Sequence, residues 1–328
     1  MNYRKLGKTG FSVSEISLGT WQVGGKWGEP FSHANADNIL NAAADAGINF
    51  IDTADVYGDG ESEKAVGRLV RSRSERIFVA TKCGRRLQPH TADAYQPAAL
   101  RQFVEDSLRN MQLETLDLVQ LHCPPTEVYY RPEIFELFDR LREEGKVQHL
   151  GVSIEKVEEG LKAIEFPNVE TVQLIFNMFR QRPPQLLFKE AARHDIGLIV
   201  RVPLASGLLT GKFTPQTHFS ADDHRNFNRD GTAFDRGETF AGVDYATGLE
   251  AVEELKKALP AHQHLAASAL RWILMFDEVS CVIPGASSPE QILANLQAAA
   301  LPALSTEQMQ AVREVYDQKI KPLVHYRW

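Results

Sequence analysis

Ile77-Phe78-Val79-Ala80-Thr81, a helix candidate over 97–111, and Asp117-Leu118-Val119-Gln120-Leu121 make one strand–helix–strand unit. The two runs are short and apolar with β-branched residues, which suits parallel strands buried on both faces and joined by a covering helix. The same unit repeats in both directions along the chain. Further strand runs stand at Glu15–Gly19, Asn49–Asp52, His149–Val152, Thr171–Ile175, Gly197–Val200 and Val279–Ile283. Helix candidates lie near 34–46, 61–72, 131–143, 155–164, 184–194, 247–277 and 289–300. Eight strand-then-helix units in about 300 residues match an α/β protein of the (β/α)8 TIM-barrel type.

Residues 1–14 read as an N-terminal β-hairpin capping one end of the barrel, and 302–328 as an extra C-terminal helix plus a tail. From Thr214 to Tyr245 the chain is rich in Gly, Asp and Arg with poor periodicity. A connection that long is usually functional or mobile. No repeat or linker divides the chain, so 1–328 is expected to form a single barrel domain.

Composition narrows the function. The 328 residues are 43% apolar, with 36 Lys+Arg against 43 Asp+Glu and a net charge of −7. Nucleic acid is an unlikely partner for an acidic chain, because phosphate binding needs clustered cations that release counterions. Cys83, Cys123 and Cys281 are widely spaced and odd in number, as expected of reduced intracellular thiols. No signal-peptide run follows Met1 and no stretch approaches eighteen apolar residues. The expectation is a cytoplasmic monomer or weak homo-oligomer with no membrane partner.

Several motif fragments fail. Gly7-Lys8-Thr9 lacks the earlier glycine of a phosphate loop, since Asn2 stands there. Gly58-Asp59-Gly60 has Glu63 where a dinucleotide fingerprint needs glycine, and Gly151-Val152-Ser153 has Glu155 where a nucleophile elbow needs one. His218, Asp222, Asp223 and His224 match no helical ligand spacing, so no metal site is read there.

Barrel chemistry collects where strands end. The second strand ends at Asp52 and runs on to Tyr57; the third ends with Lys82, the fourth with His122. An acid after an apolar strand is costly to bury unpaired, so Asp52 and Lys82 are expected partners. A phenol titrates near 10 in water, whereas a donor at neutrality works best near 7, a gap of about 4 kcal/mol. Lys82 beside Tyr57 is expected to close that gap, Asp52 to keep Lys82 charged, and neutral His122 to donate to a substrate oxygen. Taken singly, each residue could be a helix cap, a packed ring or half of an ion pair. Together they suit protonation of a carbonyl that receives a hydride. A Schiff-base role for Lys82 is the rival from the same residues.

The block Gly47-Ile48-Asn49-Phe50-Ile51-Asp52-Thr53-Ala54-Asp55-Val56-Tyr57-Gly58 is followed by Ser62-Glu63, Ala80-Thr81-Lys82 and Asp117–His122. Then come Gly151-Val152-Ser153, the run from Pro203 to Lys212, and Ile283-Pro284-Gly285-Ala286. In this order the pieces resemble the aldo-keto reductase family over nearly the whole chain. They are most similar to the bacterial branch that also includes general stress and inositol-linked reductases and potassium-channel β subunits. The resemblance implies NADPH/NADP+ as cofactor and metal-independent reduction of an aldehyde or ketone to an alcohol, with Asp52, Tyr57, Lys82 and His122 catalytic. The alternative it carries is a cofactor-binding regulatory subunit with vestigial reductase activity.

The resemblance also implies a cofactor site. Ser153 and Gln173 fall at the nicotinamide amide, beside Asp52, Gly19, Thr20 and Trp21. The pyrophosphate falls on the loop from Pro203 and Leu204 through Ser206, Gly207 and Leu209 to Lys212. Adenosine and its 2′-phosphate fall on Gly285, Ser287, Ser288, Gln291 and Asn295. Pro289 opens a helix just there, and exposed amides at a helix start favour an anion.

Three departures stand out. Ile154 replaces an amide-binding Asn, and Arg201 stands where many relatives stack an aromatic ring on the nicotinamide. Arginine is flat enough to stack, and its charge is expected to disfavour the oxidised cofactor. Ser287 and Ser288 replace basic residues at the expected 2′-phosphate seat. Trp21, the 214–245 loop and the tail Tyr326-Arg327-Trp328 are candidates for the substrate pocket, and Cys83 and Cys123 read as small core residues.

Overall fold

Alternate residues of a strand face opposite ways, and in the apolar runs that alternation builds a barrel. The computed structural model describes residues 1–25, 30–260 and 264–328. An antiparallel hairpin of β1 (Tyr3–Lys5) and β2 (Ser12–Ser14) comes first. Strands and helices then alternate through β3 (Leu18–Gly19), α1 (His33–Asp45), β4 (Phe50–Asp52), α2 (Glu61–Ser72), β5 (Phe78–Cys83) and α3 (Pro97–Met111). They continue through β6 (Leu116–His122), α4 (Pro132–Glu143), β7 (Val147–Ser153), α5 (Val157–Ala163), β8 (Val169–Ile175), α6 (Leu187–Arg193) and β9 (Gly197–Arg201). The long connection holds a short α7 (His224–Phe227), and α8 (Tyr245–Ala258), α9 (Leu265–Leu274), β10 (Val279–Val282), α10 (Pro289–Ala300), α11 (Thr306–Val315) and α12 (Lys321–Val324) follow.

Strands β3 to β10 form one eight-stranded parallel sheet in sequence order. Bridges from Ile16 to Val282 and from Gly19 to Gly285 bring its edges together, so the barrel is nearly closed. Phe50, Ala80, Leu118, Ile199 and Cys281 fill its interior together with Leu6 and Val13, so the hairpin seals that end. Each large apolar side chain buried this way contributes roughly 1.5–3 kcal/mol. Ile51, Val79, Val119 and Leu198 face outward into the layer under the helices. Arg4 ties the hairpin down by donating to the carbonyls of Leu274, Phe276 and Val279 at 2.8, 3.1 and 3.0 Å.

One sequence expectation changes. The helix read over 247–277 is two helices, α8 and α9, and 261–263 lie outside the described residues. Pro260 stops α8 by forcing the residue before it out of the helical region, and Leu259 has φ −107° and ψ 159°. The extra C-terminal helix is α11, which passes through a wide turn at Tyr316–Ile320 into α12. Among the described residues no helix is long and apolar enough to cross a membrane.

Candidate active site

Moving two residues along β4, β5, β6 and β9 on the inward face replaces apolar side chains with polar ones. Phe50 gives way to Asp52, Ala80 to Lys82, Leu118 to Gln120 and then His122, and Ile199 to Arg201. Lys82 and Gln120 are register partners, as are His122 and Ser153. An ammonium has three hydrogens to place, and Lys82 places all of them. Its Nζ lies 2.5 Å from Asp52 Oδ1, 2.8 Å from the Thr53 carbonyl and 3.3 Å from the Tyr57 hydroxyl. Asp52 Oδ2 accepts from Gln120 Nε2 at 3.1 Å and Gln173 Nε2 at 2.7 Å. The acid is therefore held on both oxygens, as a buried carboxylate must be.

The turn carrying Tyr57 is tied down locally. Tyr57 N–H donates to the Ala54 carbonyl at 3.1 Å, and Ser62 N–H donates to the Tyr57 carbonyl at 3.3 Å. Ser62 and Glu63 of the quoted motif serve as braces: Ser62 Oγ donates to Thr20 Oγ1 at 2.8 Å, and Glu63 accepts from Thr81 at 2.6 Å and Asn110 at 2.8 Å. The Tyr57 and His122 rings meet edge to face with centroids 6.0 Å apart. His122 Nδ1 is sealed away without a hydrogen-bond partner among the described residues, which leaves Nε2 as the nitrogen that meets the cavity.

Electrostatics agree with a neutral imidazole and correct the expectation for the phenol. Burial, then Arg85, Lys82 and Arg201, push His122 well below its ordinary range. Burial pushes Tyr57 above its ordinary value of 10; Lys82 pulls it down, while Asp52 adds to the rise. The expected drop toward neutrality is absent because removing water from the phenolate outweighs one nearby ammonium already shared with Asp52. The phenol holds its proton until an acceptor arrives. Lys82, against the desolvation that would lower it, is held above its ordinary value by Asp52 and Tyr57.

A cavity of about 700 Å³ opens over this cluster, within the usual size of a small-molecule site. Its wall includes Gly19, Thr20, Trp21, Asp52, Tyr57, His122, Gln173 and Arg201. It continues along Pro203, Leu204, Ser206, Gly207 and Lys212 to Gly285, Gln291 and Asn295. Gly207 has φ +98°, and a Cβ there would meet the Phe213 ring at 2.7 Å, so this bend of the loop requires glycine. Lys212 lines this stretch and has no acidic partner among the described residues.

Five expected residues are off the wall. Lys82 lies behind Tyr57, only 1% exposed, which also removes the room a Schiff base needs. Ser153 is fully buried with its hydroxyl 3.5 Å from Cys123 Sγ, and Leu209 is packed in the core. Ser287 donates N–H and hydroxyl to Gln291 Oε1 at 2.8 and 3.2 Å, and the Ser288 hydroxyl is engaged by Glu290. The charge expected of Arg201 is also largely countered: its Nη1 pairs with Glu238 at 3.2 Å, and Nη2 reaches Cys123 Sγ at 3.4 Å and the Ile154 carbonyl at 3.3 Å.

Sequence reading missed Arg85, Glu238, His224 and Phe234, all on the wall. Three of them come from the 214–245 loop, which therefore does form the pocket. Trp21 packs on His224 and Phe234 with ring centroids 5.1 and 6.5 Å away. The tail instead packs on the barrel, with Trp328 buried and Arg180 4.1 Å over its ring. Burial pushes Cys83 well up and Cys123 up to about 11, so both remain protonated core thiols at neutral pH.

The model of the Aldo/keto reductase family matches residues 15–317. Aldo-keto reductase YhdN of Bacillus subtilis is 30% identical over 298 residues, covering 89% of this chain and 87% of its own. The holo form of aldo-keto reductase AKR11C1 from Bacillus halodurans superposes with a TM-score of 0.77 at 26% identity, covering 96% of each chain. Glycerol dehydrogenase AKR11B4 from Gluconobacter oxydans gives a TM-score of 0.77 at 29% identity, covering 97% of this chain and 96% of its own.

Proposed function

The chain belongs to the aldo/keto reductase family, and from that premise we propose that it reduces a small aldehyde or ketone to an alcohol, with NADPH as reductant and Tyr57 as proton donor. The observation that carries the reading is the Tyr57 hydroxyl on the cavity wall with Lys82 Nζ 3.3 Å behind it.

The residues present suit such a dinucleotide. The cavity is elongated, running from Tyr57 past the Gly207 bend and Lys212 to the start of α10, where Gln291 and Asn295 face it. The positive end of a helix dipole and the Lys212 ammonium, which has no ion pair among the described residues, are suitable partners for phosphates. Arg201 and Gln173 would lie nearest the nicotinamide, Ser206 to Lys212 nearest the diphosphate, and Gly285 to Asn295 nearest the adenosine. The choice of NADPH rests on the positive end of α10, which faces the cavity through Gln291 and Asn295; the Ser287 and Ser288 hydroxyls are already engaged, and Glu290 is the group that opposes it.

When bound, the reduced nicotinamide supplies hydrogen with its electron pair to the carbonyl carbon. His122 Nε2–H donates to the carbonyl oxygen and orients it. Tyr57 then gives its hydroxyl proton to that oxygen as negative charge develops there, the step in which a positioned acid contributes typically 10²–10⁴-fold. Lys82 stabilises the phenolate left behind, and Asp52, clamped by Gln120 and Gln173, fixes Lys82. Trp21 and Phe234 exclude water on the open side.

The test follows NADPH consumption over an aldehyde panel for the parent and Tyr57→Phe. A loss of at least roughly 10² in kcat/KM with NADPH affinity retained supports the assignment; undiminished turnover in the variant removes Tyr57 as the donor.

A further inference from the structure

The cavity wall next to Tyr57 and His122 carries two guanidiniums and one well-paired carboxylate. Arg201 claims that carboxylate, with Nη1 3.2 Å from Glu238. Arg85 is left with loose contacts: its Nη1 is 3.6 Å from Glu238 and 3.9 Å from Glu155. Neither is a hydrogen bond, although a guanidinium has five N–H groups to place. The Arg85 side chain keeps 22% of its surface exposed, and it lies on the wall. Glu155 is a weak counter-ion, because burial together with Asp235 and Glu238 raises its carboxyl well above the ordinary range. Glu238, despite burial, is held low by Arg201 and Arg85. The wall thus has an excess of positive charge, and Arg85 carries it.

Its surroundings define what meets it. The Arg85 guanidinium carbon stands 5.8 Å from the centre of the Phe234 ring. Phe234 in turn faces Trp21, at 6.5 Å. The two rings pack edge to face, so a flat or apolar body lies against this aromatic wall rather than between the rings, with an anionic end at Arg85 and its carbonyl toward Tyr57.

We infer that the preferred substrates are carbonyl compounds bearing an anionic group, a carboxylate or a phosphate, and that Arg85 is the specificity residue that anchors it. Planar two-pronged recognition of either oxyanion is what a guanidinium with uncommitted N–H groups does best. This inference rests on the reductase reading for the carbonyl, but the anion site is separable from it.

The experiment compares 4-carboxybenzaldehyde with its methyl ester, which has nearly the same shape and no charge, and adds 4-formylphenyl phosphate as the phosphate arm. The parent is expected to favour an anionic aldehyde over the ester at least tenfold in kcat/KM. In Arg85→Met that ratio should fall at least tenfold, mostly through KM, and Arg85→Lys should retain part of it. Whichever anion loses more in Arg85→Met identifies the source. Equal use of acid and ester by the parent, or equal loss of both in the variant, overturns the inference. Trp21 fluorescence on binding 4-carboxybenzyl alcohol or its methyl ester reads the same preference without turnover. Selective binding that depends on Arg85, with no aldehyde reduced, would sink the reductase reading and keep the anion site.

Discussion

Gln173 Nε2 donates to Asp52 Oδ2 at 2.7 Å across 121 residues of sequence. The same amide nitrogen lies 3.2 Å from Gln120 Oε1, so its two hydrogens are both committed inside the barrel. Its oxygen remains for the cavity. Gln173 therefore connects the buried carboxylate to the place proposed for the nicotinamide. Gln173→Leu is expected to lower kcat about tenfold as well as weaken NADPH binding. A change in NADPH affinity alone, read by fluorescence titration beside kcat, would leave the Asp52 contact without a role in turnover.

Lys82 pulls the Tyr57 proton affinity down against burial and Asp52. Removing it in Lys82→Met should cut kcat/KM by roughly 10² or more. A general acid works only while protonated, so activity falls as pH rises through the phenol value. Without the ammonium that fall should move to higher pH. A pH profile whose alkaline limb stays in place contradicts the coupling.

Glu290 stands in the first turn of α10, and Ser288 hydrogen-bonds its carboxylate. A negative charge there repels a 2′-phosphate and leaves a plain ribose unaffected. Glu290→Gln is expected to lower KM for NADPH several-fold with KM for NADH nearly unchanged. Parallel changes for both dinucleotides would separate α10 from cofactor choice.

Asp55 is fully buried, and neither carboxyl oxygen has a hydrogen-bond partner among the described residues. Burial, reinforced by Glu63, pushes it from 3.8 to about 7. The folded chain therefore keeps a proton that the unfolded chain releases near pH 4. The stability tied to this group is complete below pH 4 and is lost as pH rises to about 7, to an upper limit of about 4 kcal/mol. Asp55→Asn cannot ionise. Its unfolding free energy relative to the parent should climb between pH 4 and 7 and then level off in denaturant titrations. A constant difference across that range assigns the pH dependence elsewhere.

Much of the site is legible in the chain because a strand has a strict period of two. Asp52, Lys82 and His122 each fall on the inward face just past an apolar partner, and Gln120 carries the same signal as a polar residue two places before His122. The hairpin and the eight strands are readable for the same reason. Arg85 and Glu238 are not. Arg85 lies beyond the end of β5 in a run, Gly84-Arg85-Arg86, that reads as solvated loop, and Glu238 comes from the aperiodic 214–245 segment. Their meeting depends on how that segment folds back over the barrel. The α8–α9 break was visible in Pro260 but masked by apolar spacing that continues on both sides of it.

The pins between Arg4 and the carbonyls of Leu274, Phe276 and Val279 span about 270 residues, and the final stave closes against Ile16 and Gly19. The hairpin must wait for residues made some 270 positions later. On a ribosome, the seal at the barrel floor therefore forms only once β10 has emerged, so protease resistance in stalled nascent chains should rise sharply after that length rather than in eight steps. Loop closure over such a span is slow by nature, and an uncapped barrel end is what a chaperone would meet in the meantime.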